Sequence, residues 1–480
     1  MMYQPRLEPW SHQQKALAKM EGRSAFALLC AMRTGKTKIC YDDFGRLELA
    51  GEIDDLLVIA PAGVYKTWET AAQEHLSDDL QKRSLIHTWK AGALARDDRL
   101  LEQFLEENVR PRILLVNVEA LSSVDRARDL CIKFLGQRRS MMAIDESATL
   151  KNWKAKRTKF VIKHLAPLAK VRRILSGLPT PRSPLDLYAQ FEILDKNILG
   201  FSSYVAFMKR YAIMRPMVFG GRRIEIVDRY VNVDELKAKI EPHSYRVMLE
   251  DCYDLPPKMY SKREVRLTPE QKKAYREIKD FATTMLASGE HVTATIVIAQ
   301  ILRMHQVLCG HVGTEGGKAV EIPELRTAEL LSLLEEYDGK AIIWASFDLD
   351  VRRISGKLEK EYGEGSVARF WGGNRGSRED EEKRFLTDPQ CRFMVATAAA
   401  GGRGRTWTCA DLVIYYSNSY DLEHRAQSEE RAQGVNKTQS VAYVDLCVPG
   451  TVDEKIIEAL RKKIDMAAVI TGDNYMKWLI

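Results

Sequence analysis

The chain has 480 residues, of which 45% are hydrophobic and 29% are charged, with a net charge of +7. This length suits two to three domains, and the apolar share excludes a disordered or fibrous chain. No apolar run reaches the roughly 18 residues that a membrane span needs, and the opening MMYQPRLEPW has no apolar signal segment. The eight cysteines are scattered without a Cys-x-x-Cys pair, which favours buried thiols in a reducing cytoplasm over a disulfide framework or a zinc site.

The N-terminal half alternates short apolar runs with longer mixed segments. The runs are FALLCAM, LLVIAPA, ILLVNVEA, MMAIDE and RRILSG. Each ends near Gly, Pro, Ser, Thr or an acidic residue. This pattern is typical of buried strands in a parallel sheet with helices between them.

The middle of the chain has a helical pattern instead. Thr268 and Gln271, with Pro269 between them, predict a capped helix start, and ATIVIAQILRMHQVL predicts a second helix. From about residue 320 the strand candidates return as AIIWASF, ARFWGG, FMVATAA, LVIYYSN and VAYVDLCV. The predicted fold class is therefore α/β, with two parallel-sheet lobes and a helical segment between them. The predicted borders are 1–240, 241–317 and 318–480.

One stretch of the chain is strongly basic. Residues 151–175 hold nine Lys or Arg and no acidic residue. Such a run forms either a solvated helix face or a contact for a phosphate backbone. Composition alone leaves both interpretations open.

The stretch CAMRTGKTKIC, residues 30–40, is close to a phosphate-binding loop, although Cys30 stands where the first glycine is expected. It lies between a strand candidate and a helix candidate, so backbone N–H groups and the positive helix end would meet there. Lys36 would then reach the β- and γ-phosphates of ATP, and the Thr37 hydroxyl would bind Mg2+. The remaining loop candidates for nucleotide binding are Arg33, Thr34 and Gly35.

A second acidic motif follows another strand candidate. In AIDESA, an apolar run ends in Asp145 and Glu146. A carboxylate at a strand end can hold Mg2+, and its neighbour can orient or deprotonate an attacking water. We therefore predict Asp145 as a metal ligand and Glu146 as a catalytic residue.

The order of these motifs resembles the superfamily-two helicases, and within them the Swi/Snf-type DNA-dependent ATPases. The matching stretches in the first half are LEPWSHQ, AMRTGKT, LLVIAPAGVYKTWETAAQEH, DESATLKN and LSGLPTPRSPLDLYAQFEIL. The resemblance implies two RecA-like lobes. It also implies that Gln13 reads adenine and that Ser176 and Gly177 couple ATP to motion. Ala148 stands where the family has a histidine, which weakens one expected link between ATP and that coupling motif.

The resemblance continues through the second half, in Leu255-Pro256-Pro257-Lys258, KAIIWASF and the long stretch from ATAAAGGRGRTW to PGTVDEKI. It implies that Gly402 and Gln427 contact the nucleotide and that Arg431 stabilises charge on the γ-phosphate. The family usually has a second arginine where this chain has Gly434. Three interpretations remain open: Arg431 acts alone, Arg403 or Arg405 substitutes, or hydrolysis is slow.

The function implied by the resemblance is an ATP-dependent motor that hydrolyses ATP at the cleft between the lobes and moves on or remodels duplex or branched DNA. The chain leaves no room for large targeting domains, so we expect a bare, monomeric motor of viral, bacterial or annealing-helicase type in the cytoplasm or host cytoplasm. The alternatives are a strand-separating DNA or RNA helicase and an ATP-switched nucleic-acid clamp. The candidate DNA contacts are Lys151, Asn152, Lys154, Lys156 and Arg157.

Overall fold

The computed structural model describes residues 3–62, 64–90, 95–219, 222–253, 256–287, 294–313, 319–401, 406–434 and 437–471. Among these residues the chain divides into two compact units. The first unit is mainly residues 3–212 and 230–253, and the second is mainly residues 213–229 and 256–465. The predicted three-part borders stay a prediction.

The first unit is built on a seven-stranded, fully parallel sheet. The strands of this half are β1 (Ala25–Cys30), β2 (Asp55–Ala60), β3 (Leu85–Thr88), β4 (Arg112–Asn117), β5 (Ser140–Ile144), β6 (Val171–Leu175), β7 (Ala212–Phe219), β8 (Arg222–Tyr230) and β9 (Ser244–Val247). Their order in the sheet is β3-β4-β2-β5-β6-β1-β9, and β7 pairs with β8 in a separate two-stranded sheet. All residues of β1, β2 and β5 are buried, as expected for parallel strands covered on both faces.

Helices follow most of these strands. They are α1 (Ser11–Met20), α2 (Lys36–Leu49), α3 (Thr67–His75), α4 (Asp78–Arg83), α5 (Ala95–Glu106), α6 (Ala120–Ser123), α7 (Asp125–Gln137), α8 (Lys156–Phe160), α9 (Leu187–Leu194), α10 (Lys196–Leu199), α11 (Tyr204–Tyr211) and α12 (Val233–Ile240). A single π-helical turn, Val161–Leu165, continues α8.

The second unit contains a six-stranded parallel sheet of order β10-β17-β16-β13-β15-β14. The strands of this half are β10 (Lys258–Glu264), β11 (His311–Gly313), β12 (Ala319–Glu321), β13 (Lys340–Ala345), β14 (Val367–Phe370), β15 (Phe393–Thr397), β16 (Ala410–Tyr415) and β17 (Val441–Cys447). Strands β11 and β12 form a separate antiparallel pair.

The helices of the second half are α13 (Pro269–Ala287), α14 (Ala294–Leu308), α15 (Arg326–Glu335), α16 (Asp348–Tyr362), α17 (Arg378–Thr387), α18 (Ala398–Gly401), α19 (Leu422–Glu429) and α20 (Val452–Thr471). The predicted capping box of α13 is present. The backbone N–H of Thr268 donates to Gln271 Oε1 at 3.2 Å, and the N–H of Gln271 donates to Thr268 Oγ1 at 3.2 Å.

The predicted fold class is confirmed, because both main sheets are parallel and two long helices lie between them in the chain. Every strand predicted from an apolar run is present. In the two main sheets, strands β3, β9 and β10 were missed, because they are only partly buried and lack a continuous apolar run. The separate pairs β7–β8 and β11–β12 were not predicted either. No helix of the described residues is both long enough and apolar enough to cross a bilayer.

Two ion pairs are fully buried in the first unit. Arg173 Nε lies 2.9 Å from Asp43 Oδ2, and Arg112 Nη2 lies 2.6 Å from Asp55 Oδ2, with all four side chains 0% exposed. A buried charge without its partner is costly, so these pairs constrain how helices and strands of the unit assemble.

Candidate nucleotide site and basic surface

The loop between β1 and α2 contains two residues with left-handed backbone conformation. Arg33 has φ 64° and Gly35 has φ 81°. An added Cβ at Gly35 would lie 2.2 Å from Gln13 Nε2, so a side chain there meets both backbone strain and a close neighbour. Strand β1 ends at Cys30, which explains why a glycine is not needed at that position.

Lys36 lies over its own loop. Its ammonium donates to the carbonyl oxygens of Cys30 at 2.9 Å and Ala31 at 3.0 Å. The Thr34 hydroxyl donates to the same Ala31 carbonyl at 2.8 Å. The loop therefore holds a cation at the point where β1 ends and α2 begins, and the start of a helix also favours an anion.

Gln13 on α1 contacts this loop directly. Its Nε2 donates to the Thr34 carbonyl at 3.2 Å, and its Oε1 accepts from the backbone N–H of Trp10 at 3.0 Å. His12 Nε2 lies 2.8 Å from the same Thr34 carbonyl. The structure thus brings the adenine candidate to the phosphate loop, together with His12, which sequence reasoning did not single out.

Asp145 follows β5 in the same unit. Burial raises its pKa, while the Trp68 hydrogen bond and the charge of Lys36 act in the opposite direction. Trp68 Nε1 donates to Asp145 Oδ2 at 2.9 Å, and the Glu146 backbone N–H donates to Oδ1 at 3.0 Å. Sequence reasoning noted Trp68 only as part of a motif. The structure shows that it orients the carboxylate.

Glu146 has an unusual backbone, with φ 48° and ψ 56°. A residue other than glycine in this region costs on the order of 1–3 kcal/mol, and such strain is concentrated at functional sites. Ser147, the next residue, donates to Gln190 Oε1 at 2.7 Å and is fully buried. The turn is therefore held by tertiary contacts on its C-terminal side.

Ser176 and Gly177 lie beside the loop, at the end of β6. The Ser176 N–H donates to the Leu28 carbonyl of β1 at 3.0 Å. An added Cβ at Gly177 would lie 3.4 Å from the Met32 nitrogen. Arg246 of β9, which sequence reasoning missed, donates to the Gly177 carbonyl at 3.0 Å and to that of Leu29. The two coupling candidates therefore contact the strand and loop that carry Lys36.

No group of three or more His, Cys, Asp or Glu close enough to hold a metal ion occurs in the described part of the chain. Mg2+ bound with a nucleotide needs only one or two protein ligands, since phosphates and waters supply the others. Thr37 and Asp145 suit that chemistry, because the buried Asp145 carboxylate gains from a nearby cation.

In the second unit, Gln427 lies on α19 and Arg431 lies two residues beyond its end. Arg431 Nε donates back to the Gln427 carbonyl at 3.0 Å, and only 3% of Arg431 is exposed. Gly434 is buried in the following segment. Gly402, Arg403 and Arg405 lie outside the described residues.

The neighbouring Gly401 serves packing. An added Cβ there would lie 2.8 Å from Trp407 Cη2 and 3.1 Å from Trp344 Cη2. Both tryptophans are buried and stack at 5.5 Å between ring centroids. The glycine therefore permits a close approach of the backbone to this aromatic pair.

Some residues of the basic stretch 151–175 are exposed to solvent, whereas others bind groups within the protein. Asn152, Lys154 and Lys156 are exposed, whereas Lys151 is partly buried. Arg157 is also partly buried, and its Nη2 donates to the Thr149 carbonyl at 2.9 Å. At the far end of the stretch, Arg173 belongs to a buried ion pair rather than to the surface. The exposed cations of the stretch are Lys154, Lys156, Lys159, Lys163 and Lys170, so exposed charge runs along most of its length.

The parallel sheets, the strand–loop–helix around Lys36 and the acidic turn after β5 together define a P-loop type ATPase core. The SNF2-related domain family matches residues 12–312 of this chain. The chain therefore belongs to the SNF2-related family, a Swi/Snf-like group of superfamily-two DNA-dependent ATPases.

Three curated relatives illustrate the family. The chain is 24% identical over 350 residues to the "Putative ATP-dependent helicase/translocase YwqA" of Bacillus subtilis, covering 70% of this chain and 36% of that protein. It is 25% identical over 338 residues to the "DNA annealing helicase and endonuclease ZRANB3" of Mus musculus, covering 70% and 30%. It is 24% identical over 371 residues to the "SWI/SNF-related matrix-associated actin-dependent regulator of chromatin subfamily A-like protein 1" of Drosophila melanogaster, covering 74% and 44%. The chain thus spans less than half the length of these relatives.

Among solved structures, the "Sulfolobus solfataricus SWI2/SNF2 ATPase core in complex with dsDNA" is similar at 22% identity with a TM-score of 0.43, covering 100% of this chain and 97% of that chain. That structural similarity is too low to add to the assignment of function.

Proposed function

We propose that this protein hydrolyses ATP with Mg2+ in a DNA-dependent manner, at the cleft between its two lobes, and uses the energy to move on or remodel duplex or branched DNA. The observation that carries the proposal is that Lys36, the start of α2 and the buried Asp145 carboxylate follow strand ends at the same edge of one sheet. Strands β1 and β5 both pair with β6 in parallel, so their carboxyl ends lie at the same edge, where a metal ligand beside a phosphate-binding lysine is expected.

In the proposed reaction, Lys36 exchanges its loop carbonyls for the β- and γ-phosphates. Thr37 and Asp145 would hold the Mg2+, which supplies charge neutralisation at the phosphates. Glu146 would orient the attacking water or accept its proton. Gln13, already in contact with the loop through Thr34, would recognise the adenine.

In the second unit, Gln427 and Arg431 would complete the site when the lobes close. Two nearby cations are poor substitutes for the arginine missing at Gly434. Arg425 is engaged by Asp445, with Nη1 2.5 Å from Oδ1, and Lys437 is engaged by Asp411 at 2.5 Å. Arg431, with Arg403 or Arg405 as the alternative, remains the candidate for charge stabilisation.

DNA would contact the exposed start of the basic stretch, at Asn152, Lys154 and Lys156. The rings of Trp153 and Tyr204 stack with their centroids 5.0 Å apart and hold this segment against α11. The backbone that carries the exposed lysines is therefore fixed by packing. Phosphate contacts of this kind bind DNA without reading its sequence. We also propose that the protein acts as a monomer in the cytoplasm or host cytoplasm.

Gly434 favours a second candidate function, an ATP-switched nucleic-acid clamp with slow turnover. An arginine finger contributes roughly 10³- to 10⁵-fold to the rate, so its absence would give binding-linked switching rather than rapid hydrolysis. A strand-separating helicase is the other alternative, and forked and blunt duplexes in a displacement assay distinguish it from a translocase.

The deciding experiment measures ATPase activity with no nucleic acid, single-stranded DNA, duplex DNA, branched DNA and RNA. We expect duplex or branched DNA to stimulate hydrolysis. Lys36→Ala should lower turnover by at least about 10²- to 10³-fold, because a preorganised charge at the phosphates is lost. Lys66→Ala, at an exposed position, is the matched control and should leave turnover unchanged. An ATPase rate that does not change with any of these nucleic acids would contradict the proposal of a DNA motor.

A further inference from the structure

Lys258, at the start of β10, binds the end of the helix that precedes Arg431. Its ammonium lies 2.9 Å from Glu430 Oε1 and 3.8 Å from Glu429 Oε2. Glu429 is the last residue of α19 and Glu430 is its C-terminal cap. One cation from an edge strand thus bridges both carboxylates at the helix end.

The same strand holds Glu429 through a second residue. Tyr260 donates from its hydroxyl to Glu429 Oε2 at 2.8 Å, and its ring stacks on Tyr443 of β17 at 5.2 Å. Tyr443 in turn donates to the Glu429 carbonyl at 2.9 Å. Arg425 Nε binds the other carboxylate oxygen of Glu429 at 2.6 Å. The helix end is therefore held from the strand side and from within the helix.

Arg431 follows directly and is connected to this point by the backbone. Its N–H donates to the Ser428 carbonyl at 3.3 Å, and its own carbonyl accepts from the Trp407 N–H at 2.9 Å. A shift of the helix end would therefore move Arg431.

We propose that Lys258 is a positioning residue that holds Arg431 in place for ATP hydrolysis. This inference rests on the proposed function. The ion pair of Lys258 with Glu430 is largely buried, with side-chain exposures of 22% and 19%. Removing the Lys258 charge is therefore expected to cost some stability as well as the geometry at Arg431, and kcat is compared on folded protein.

The test compares kcat and KM for ATP at saturating DNA. Lys258→Met should lower kcat about 10- to 100-fold, the scale expected from displacing a reacting group by about 1 Å, and leave KM nearly unchanged. Lys258→Arg should retain most activity. The matched control is Arg263→Met on the same strand, which breaks pairs with Glu329 and Glu336 and should leave kcat unchanged.

A second variant keeps the test decisive if Lys258→Met folds poorly. Glu430→Gln keeps the side-chain shape, should lower kcat similarly, and should add little further loss in the double variant, as expected for one shared interaction. Two results would overturn this inference while leaving the proposed function intact. In the first, wild-type protein hydrolyses ATP and the Lys258 variants have the same kcat. In the second, the Lys258 and Arg263 variants lose kcat equally. If wild-type protein shows no Lys36-dependent hydrolysis, the proposed function is overturned as well.

Discussion

The two units hold their candidate catalytic groups in different ways. In the first unit, Lys36 and Thr34 bind backbone carbonyls of their own loop. In the second unit, the chain before Arg431 is held by side chains from three elements, including Lys258 of β10, Arg425 of α19 and Tyr443 of β17. The first arrangement is local in the chain, whereas the second includes Lys258, which is 172 positions away from its partner Glu430.

This difference explains why the loop around Lys36 is easy to recognise in the sequence, whereas the helix end before Arg431 is not. A loop held by its own backbone requires particular residues at fixed spacing, because only glycine tolerates the φ at position 35 without strain. A helix end held by a charge network tolerates substitutions, provided that partners change together. The departure at Gly434 lies in the second kind of region.

The largest expected loss of ATPase activity comes from replacing Arg431 in the second unit. Arg431→Ala should lower kcat by roughly 10³- to 10⁵-fold if it alone stabilises the γ-phosphate charge. Arg403→Ala and Arg405→Ala should then leave the ATPase rate intact. Steady-state kinetics at saturating DNA provide the measurement. A large loss in Arg403→Ala or Arg405→Ala, with Arg431→Ala near normal, would move the role to the neighbouring loop.

The next largest loss of ATPase activity is expected from replacing Glu146 in the first unit. Glu146→Gln should lower hydrolysis by about 10²- to 10⁴-fold, the range of general acid–base catalysis, with ATP binding retained. Binding is measured with a fluorescent ATP analogue and hydrolysis by phosphate release. Normal turnover in this variant would remove Glu146 from the mechanism.

A third prediction compares two buried arginines: Arg173, paired with Asp43, and Arg425, paired with both Asp445 and Glu429. Asp43 also binds Arg46, which is 28% exposed. Asp43→Ala should destabilise the first unit by about 3–5 kcal/mol, since Arg173 keeps its charge and stays buried. Asp445→Ala should cost less, about 1–3 kcal/mol, because Arg425 retains Glu429 at 2.6 Å. Urea unfolding followed by tryptophan fluorescence measures both.

The control for this pair is Asp79→Ala, which breaks an exposed contact with Arg83 and should change stability by less than about 0.5 kcal/mol. An equal loss in Asp43→Ala and Asp445→Ala would contradict the distinction between the two units.

The smallest expected effect is a change in DNA affinity and in its dependence on salt. Lys154→Ala should weaken duplex binding modestly and reduce the slope of log K against log salt by about 1, as for one lost phosphate contact. Lys170→Ala is the control within the same basic stretch, because its ammonium already donates to the Glu52 carbonyl at 2.9 Å. Titrations at several salt concentrations measure the slope. Equal slopes for Lys154→Ala and wild type would remove Lys154 from the DNA contact.

Much of the fold was predictable because its central strands are continuous apolar runs. FALLCAM and MMAIDE correspond to β1 and β5, which are buried throughout. Strand β10 has the sequence KMYSKRE and was missed, because an edge strand has fewer buried positions. In the site, Gln13, Lys36 and Asp145 were named from motifs, whereas Arg246 and Lys258 were given no role because their partners are remote in sequence.

The sequence by itself determined the order of the buried central strands, the phosphate loop and the family, because these depend on local spacing and on the periodicity of apolar residues. Only the tertiary structure decided that Trp68 orients Asp145, that Arg173 is buried against Asp43 and that Lys258 binds the helix end before Arg431. Those contacts join residues 77, 130 and 172 positions apart. Each depends on how sheets and helices pack, so no local pattern of residue types encodes it.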